Sequence, residues 1–271
     1  MSYRRFVRPT RENWTVDQWV TWLKSQDFTP SVTPSEVGVC AICRAPTPVG
    51  SQGTHFARCF PCNSQYSTVL TGFIPICYSV HGGLEGALWR VKNEESSGWL
   101  QLPLASLLWA FLDSHLKCIE DAYGGSFDMG VTVPSSKQRN GINHLDALLS
   151  CIKKWPVAWR QGVLTKARSE SAAERRQRIV PDLFVADPSV NGKRILLLDD
   201  TFTSGGTMAS AAHALRDAGA ARVIGIAFGR QLNANREEAR DLLAELPRRS
   251  LDLETCPVHG LSDFDLFLMG G

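Results

Sequence analysis

The stretch Arg194-Ile195-Leu196-Leu197-Leu198-Asp199-Asp200-Thr201-Phe202-Thr203-Ser204-Gly205-Gly206-Thr207 decides the fold. An apolar run ending in two aspartates reads as a central parallel strand, buried on both faces, whose carboxyl end opens onto a ligand crevice. Gly205 and Gly206 allow a tight backbone with consecutive N–H groups pointing inward, and Thr203, Ser204 and Thr207 add hydroxyl donors where a helix begins. Together they describe a cradle for a phosphomonoester. Asp199 and Asp200 would repel that same phosphate, so they are expected to contact sugar hydroxyls, a metal ion, or both. A ribose 5-phosphate has this chemistry.

Working outward, Met208, Ala211, Ala212 and Leu215 mark one helical face, Gly219 caps it, and Arg222 to Phe228 returns as a second apolar strand. This is a βαβ unit. Downstream, Asn235 with Glu238 reads as a capping box, leading a helix with Ala239, Leu242, Leu243 and Leu246 at helical spacing and a stop at Pro247. Upstream, strands are expected at 73–80, 128–133 and 183–186, and helices at 84–91, 104–122 and 143–153, with Gly124 and Gly125 ending the longest. Near the N-terminus, Thr15 and Gln18 form a capping box ahead of Val16, Trp19, Val20 and Leu23 on one helix face. The fold class is therefore α/β, with a central parallel sheet flanked by helices.

The 271 residues suit one large domain and a small satellite. Three segments are expected: a helical extension and connector over 1–37, a zinc-binding module over 38–66, and the α/β domain over 67–271. The satellite holds Cys40, Cys43, Cys59 and Cys62, a C-x2-C pair repeated after fifteen residues. That spacing presents four thiolates tetrahedrally to a structural Zn²⁺; a redox dithiol pair is the competing reading. His55 is a spare ligand where four thiolates are already present. Cys77, Cys118, Cys151 and Cys256 lie singly in apolar stretches and are assigned no chemistry.

Lys and Arg number 29 against 27 Asp and Glu, and 44% of residues are hydrophobic, which argues against a disordered chain or a general nucleic-acid coat. Arg44 and Arg58 leave a local nucleic-acid contact in the cysteine module open. Arg4, Arg5, Arg8 and Arg11 resemble the head of a signal peptide, but Asn13, Asp17, Gln18, Lys24 and Asp27 interrupt the stretch where its apolar segment would lie. The window 100–112 contains Gln101 and Pro103 and falls short of the roughly 18 to 20 residues that span a bilayer. A cytoplasmic protein without a membrane span is expected.

Three other readings of the Asp-Asp segment fail. No G-x4-G-K-[ST] accompanies it as a Walker B strand would need, no G-x-G-x-x-G follows a strand, and a receiver would require most of a domain after Asp200. A plain turn does not need paired acids with five Gly or hydroxyl residues.

The segment from Leu196 to Thr207 resembles the PRPP-binding signature of type I phosphoribosyltransferases. With the cysteine module in front, the chain over about 39–231 resembles the ComF family of zinc-ribbon, phosphoribosyltransferase-like proteins linked to bacterial competence. Val133-Pro134-Ser135-Ser136-Lys137 sits where that fold has its pyrophosphate loop, and Asn140-Gly141-Ile142-Asn143-His144 resembles the family's R-G-F-N-Q, retaining Gly141 and Asn143. The mobile catalytic loop of the fold falls on 169–178, within a stretch carrying Lys166, Arg168, Arg175, Arg176 and Arg178 against Glu170 and Glu174; a solvated helix face is the plainer reading.

The resemblance implies transfer of phosphoribose from PRPP to a nitrogen acceptor with release of pyrophosphate. Asp199 and Asp200 would serve the ribose and its developing cation, Thr203, Ser204, Gly205, Gly206 and Thr207 the 5-phosphate, and Ser135, Ser136 and Lys137 with Mg²⁺ the pyrophosphate. The alternative is a non-catalytic PRPP-responsive regulator or DNA-uptake accessory; a zinc-ribbon nucleic-acid module on an inert α/β domain ranks last. Candidate partners are PRPP, an unidentified acceptor, nucleic acid, competence proteins and a second copy in a homodimer. Acceptor contacts are sought in the N-terminal region and in 248–271, including His259, while Trp155 and Trp159 read as packing residues rather than base platforms.

Overall fold

A computed structural model of the chain describes residues 6–10, 13–32, 38–80, 82–135, 143–169, 171, 174 and 179–258. In chain order its strands are β1 (Gly72–Ser79), β2 (Met129–Thr132), β3 (Leu164–Lys166), β4 (Phe184–Ala186), β5 (Arg194–Phe202) and β6 (Arg222–Gln231). The longer helices are α1 (Val16–Ser25), α3 (Leu84–Asn93), α4 (Gln101–Ala122) and α6 (Gly206–Asp217); α2 (Phe60–Ser64), α5 (His144–Leu149) and α7 (Arg240–Glu245) are short.

Four strands form a parallel sheet in the order β1-β6-β5-β2. Every residue of β1 and β2 is buried, and β6 is buried from Val223 to Arg230, so these runs lack alternation because helices and loops cover both faces. The chain crosses from β1 at one edge to β2 at the other, then fills in β5 and β6. Their registers pair Thr132 with Leu198, Asp199 with Ala227 and Phe202 with Arg230, which gathers the carboxyl ends of the strands at one rim. The β2 edge is not bare: Gly130 N–H donates to the Ala158 carbonyl at 3.0 Å, and Arg160 N–H to the Gly130 carbonyl at 2.9 Å. The Trp159 ring lies over Gly130, where a Cβ would come within 2.3 Å of it. Trp155 meets Trp159 edge-on and donates to the Leu149 carbonyl at 2.9 Å, so both indoles pack as expected.

The N-terminal helix forms with both halves of its capping box, and it packs through Trp19, Val20 and Leu23 on α4. α4 starts at Gln101, three residues earlier than its apolar run suggests, because Pro103 in the first turn forfeits an N–H that has no helical partner there. Among the described residues no helix is long and apolar enough to cross a membrane. The larger of two apolar clusters runs from Val20 and Leu23 through Cys40, Ile42, Cys62 and Tyr66 to Ile224 and Ile226, so the cysteine module packs into the core of the sheet domain; a smaller one gathers Val32, Tyr78, Leu232 and Leu246.

Three local expectations are corrected. α5 stops at Leu149 rather than Lys153, where the Trp155 indole takes the freed Leu149 carbonyl and the Trp109 indole takes that of Lys154 at 3.0 Å. The Asn235 capping box does not form: Asn235 N–H instead bonds the Asn233 side chain at 3.0 Å, and a 3₁₀ turn over Glu237–Ala239 precedes α7. Lys166 belongs to β3, paired antiparallel with β4, a strand too short to show periodicity.

Candidate functional site

The sheet places the Asp-Asp pair at the carboxyl rim of β5. Asp199 is buried, and its carboxylate accepts the Asp200 N–H at 2.8 Å. Burial, and then the adjacent charge of Asp200, pushes the Asp199 carboxyl well above the ordinary carboxylate range. Asp200 goes the other way. Burial opposes its ionisation, but His144 Nε2 at 3.1 Å and Lys92 Nζ at 3.5 Å outweigh it and hold the carboxyl down at about 2. The two neighbouring carboxyls are thus shifted in opposite directions, a split that suits them to different contacts.

His144 is the first residue of α5, and its Nδ1 is buried with no hydrogen-bond partner among the described residues. Lys92 comes from the last turn of α3. Neither stands near Asp200 in sequence. The sequence marks His144 only as a departure from a motif, and Lys92 by nothing: a lysine at the end of an amphipathic helix has no distinguishing neighbour pattern.

The loop after Asp200 is built from beneath. Gly205 is left-handed at φ +87°, and a Cβ there would lie 2.3 Å from the Phe202 ring and 2.6 Å from that of Tyr66, so both conformation and space require glycine. Arg230 is buried at the end of β6; its Nη1 donates to the carbonyls of Phe202 at 2.8 Å and Thr203 at 2.7 Å, while its guanidinium lies 5.3 Å from the Phe202 ring centroid. The Tyr66 hydroxyl donates to the Ser204 carbonyl at 2.9 Å. Three consecutive carbonyls are thereby tied down on the protein side. α6 starts at Gly206, and its first-turn N–H groups, including those of Gly206 and Thr207, have no partners within the helix. A helix start of this kind attracts an anion.

Next to β5, the end of β2 carries the second loop. Ser135 is buried, and Asn143 pins the return of the chain: its Nδ2 donates to Thr132 Oγ1 and to the Val133 carbonyl, both at 3.2 Å, while its Oδ1 caps α5. The retained asparagine therefore ties the start of α5 to the end of β2. Ser136, Lys137, Asn140 and Gly141 lie outside the described residues, as do Arg4, Arg5, Arg11, Glu170, Arg175, Arg176, Arg178 and His259. Arg168, in the basic stretch, is engaged by Asp182 at 2.8 Å and Glu174 at 3.1 Å.

In the cysteine module, the Sγ atoms of Cys40, Cys43, Cys59 and Cys62 lie within 4.8 Å of one another, with Cys43 and Cys59 at 3.6 Å. Zn–S bonds of about 2.3 Å in a tetrahedron put sulfurs roughly 3.8 Å apart, so the set fits zinc. The first knuckle closes with Arg44 left-handed at φ 58° and Cys43 N–H 3.5 Å from Cys40 Sγ. His55 is not in this cluster; its Nδ1 bonds the Thr47 carbonyl at 2.7 Å. Arg44 is buried and its Nη2 donates to the Pro257 carbonyl at 3.2 Å, which withdraws it from any nucleic-acid surface.

Of the residues singled out in the sequence, Asp199, Asp200 and the loop 203–207 meet at the rim, Ser135 lies on the neighbouring loop, and the four cysteines meet in their own module. Lys92, Tyr66 and Arg230 are additions that only packing reveals.

No curated protein matches the chain. Residues 148–242 match the family model of the phosphoribosyl transferase domain. That span contains β3, β4, β5, α6, β6 and the turn into α7, so in the stretch that holds the Asp-Asp loop and the strands on which it is mounted, the chain is similar to a phosphoribosyl transferase domain.

Proposed function

We propose that the chain binds PRPP and is a phosphoribosyltransferase-like protein that transfers phosphoribose to a nitrogen acceptor. The observation that carries this reading is the pairing of a split carboxylate pair, Asp199 and Asp200, with a helix start whose loop carbonyls are held away by Arg230 and Tyr66. The match of residues 148–242 supports it.

In this reading Thr203, Ser204, Gly205, Gly206 and Thr207 hold the 5-phosphate. Asp199 accepts or donates to the ribose hydroxyls, and the anionic Asp200 supplies the field that favours positive charge at C1. The acceptor nitrogen forms a bond to C1 as the C1–oxygen bond to pyrophosphate breaks, the electron pair leaving with the pyrophosphate. Positioning and charge complementarity do most of the work in such a displacement. In this reading Ser135, Ser136 and Lys137 receive the leaving pyrophosphate, and Mg²⁺ bound with PRPP would offset its charge. Zn²⁺ in the four-cysteine set is structural. The cysteine module ahead of this domain is also what supports a ComF-like assignment, with its link to competence.

The test is thermal unfolding with PRPP and Mg²⁺. A ligand at 100 times its dissociation constant stabilises by roughly 2.7 kcal/mol. A shift in the wild type that vanishes in Asp199→Asn/Asp200→Asn supports the site, and pyrophosphate release in an acceptor screen then supports transfer. No shift in folded, zinc-loaded protein would refute PRPP binding; a shift without pyrophosphate release from any purine, pyrimidine or amine would favour a PRPP-responsive regulator.

A further inference from the structure

Outside this site, His115, Cys118 and Cys256 bring a ring nitrogen and two sulfurs within 4.8 Å of one another. His115 and Cys118 lie three residues apart on α4 and so share one helix face. Cys256 comes from the far end of the chain, on a strap over 251–258 in which Leu251, Leu253, Cys256 and Val258 are buried.

The strap is held at several points. Ser31 Oγ donates to the Asp252 carbonyl and accepts the Asp252 N–H, both at 2.8 Å, and the Asp252 carboxylate caps the turn through Glu254 N–H at 2.8 Å. Arg44 of the cysteine knuckle holds the Pro257 carbonyl at 3.2 Å. His115 Nε2 lies 2.9 Å from the Leu253 carbonyl. A carbonyl only accepts, so neutral His115 carries its proton on Nε2 and keeps a lone pair on Nδ1. Metal-bound imidazoles are oriented in this way, by donating the other N–H to a backbone carbonyl.

The donor set has a chemical preference. Two thiolates and a neutral imidazole are soft to borderline ligands suited to Zn²⁺, and the two negative charges cancel those of the ion, so the group is neutral when buried. We propose that His115, Cys118 and Cys256 form a second zinc site that staples the 251–258 strap to α4. Loading it releases the two thiol protons to solvent. The ion would close a loop of more than a hundred residues and, through Arg44 and Pro257, brace the cysteine knuckle.

The test uses the full chain purified under reducing conditions without chelator, with zinc measured by elemental analysis and by K-edge X-ray absorption. About two ions per chain are expected, with sulfur coordination averaging below the four of an all-cysteine site. Cys118→Ser and Cys256→Ser should each remove one ion and leave an all-sulfur spectrum from the other. If those variants fail to fold, the wild-type spectrum and the protection of Cys118 and Cys256 from alkylation still decide. One ion per chain with all-sulfur coordination would overturn the proposal, as would a Cys118–Cys256 disulfide or both thiols reacting freely in the zinc-loaded protein.

Discussion

The Tyr66 hydroxyl donates a 2.9 Å hydrogen bond to the Ser204 carbonyl. Tyr66 lies four residues beyond Cys62, in the 3₁₀ turn that succeeds α2, so the last cysteine of the module and the loop 203–207 are linked through one buried side chain. Its ring also fills the space that Gly205 leaves. Tyr66→Phe keeps the ring and removes one hydrogen bond to the loop. Such a bond is worth about 1 kcal/mol, so PRPP affinity should fall roughly five-fold while zinc content stays unchanged. Calorimetric titration with PRPP and elemental analysis of the same preparation measure both.

Cys59→Ser should act from the other side of that link. It removes a thiolate from the four-sulfur set and with it the closed zinc geometry. The module packs into the common core through Cys40, Ile42 and Tyr66, so zinc loss should lower the melting temperature and also weaken the response to PRPP. A variant that loses this zinc yet binds PRPP as the wild type does would break the proposed coupling.

The two aspartates should respond oppositely to neutralisation. Asp199 sits above the ordinary carboxylate range, so it costs stability at neutral pH; that cost shrinks as pH falls below its raised value and is gone below the unfolded value of about 3.9. Asp200 is held at about 2, so its contribution is fully present above the unfolded value of about 3.9 and is lost as pH falls toward 2. In the ligand-free protein at pH 7, Asp199→Asn should therefore raise the melting temperature, with the gain shrinking in acid. Asp200→Asn should destabilise by about 1–3 kcal/mol, the usual cost of removing a charged partner from buried hydrogen bonds. Denaturant titrations across pH check the signs.

His144 and Lys92 should differ in weight. The imidazole is 12% exposed and 3.1 Å from Asp200, whereas the ammonium is 28% exposed and 3.5 Å away. His144→Ala leaves a half-buried carboxylate short of a donor and should cost about 1–3 kcal/mol, with the Asp200 carboxyl rising toward its ordinary range. Lys92→Met should cost about 1 kcal/mol or less. Equal losses in the two variants, measured by chemical denaturation and by titration of the Asp200 carboxyl in NMR, would contradict the ranking of their contacts.

Much of the molecule is legible from local pattern. The βαβ unit from Arg194 to Phe228, the capping box at Thr15 and Gln18, and the paired cysteine knuckles can be read because unbroken apolar runs, helical periodicity and C-x2-C spacing are properties of neighbouring residues. The same locality explains the misreadings. Asn235 resembles a cap in sequence, but Asn233 competes for its N–H, and three-residue strands such as β3 are below the length at which alternation shows.

The electrostatic state of the site was decided by packing. Asp199 and Asp200 are adjacent and chemically identical in sequence, yet one is raised by burial and the other lowered by His144 and Lys92, which arrive from α5 and α3. Arg230 and Tyr66 hold the carbonyls of Thr203 and Ser204 from positions 27 and 138 residues away, and Cys256 reaches His115 and Cys118 from the opposite end of the chain. Charge and ligand geometry depend on what lies within a few ångströms in space, and those neighbours are fixed only when the sheet and its covering helices close around a common core.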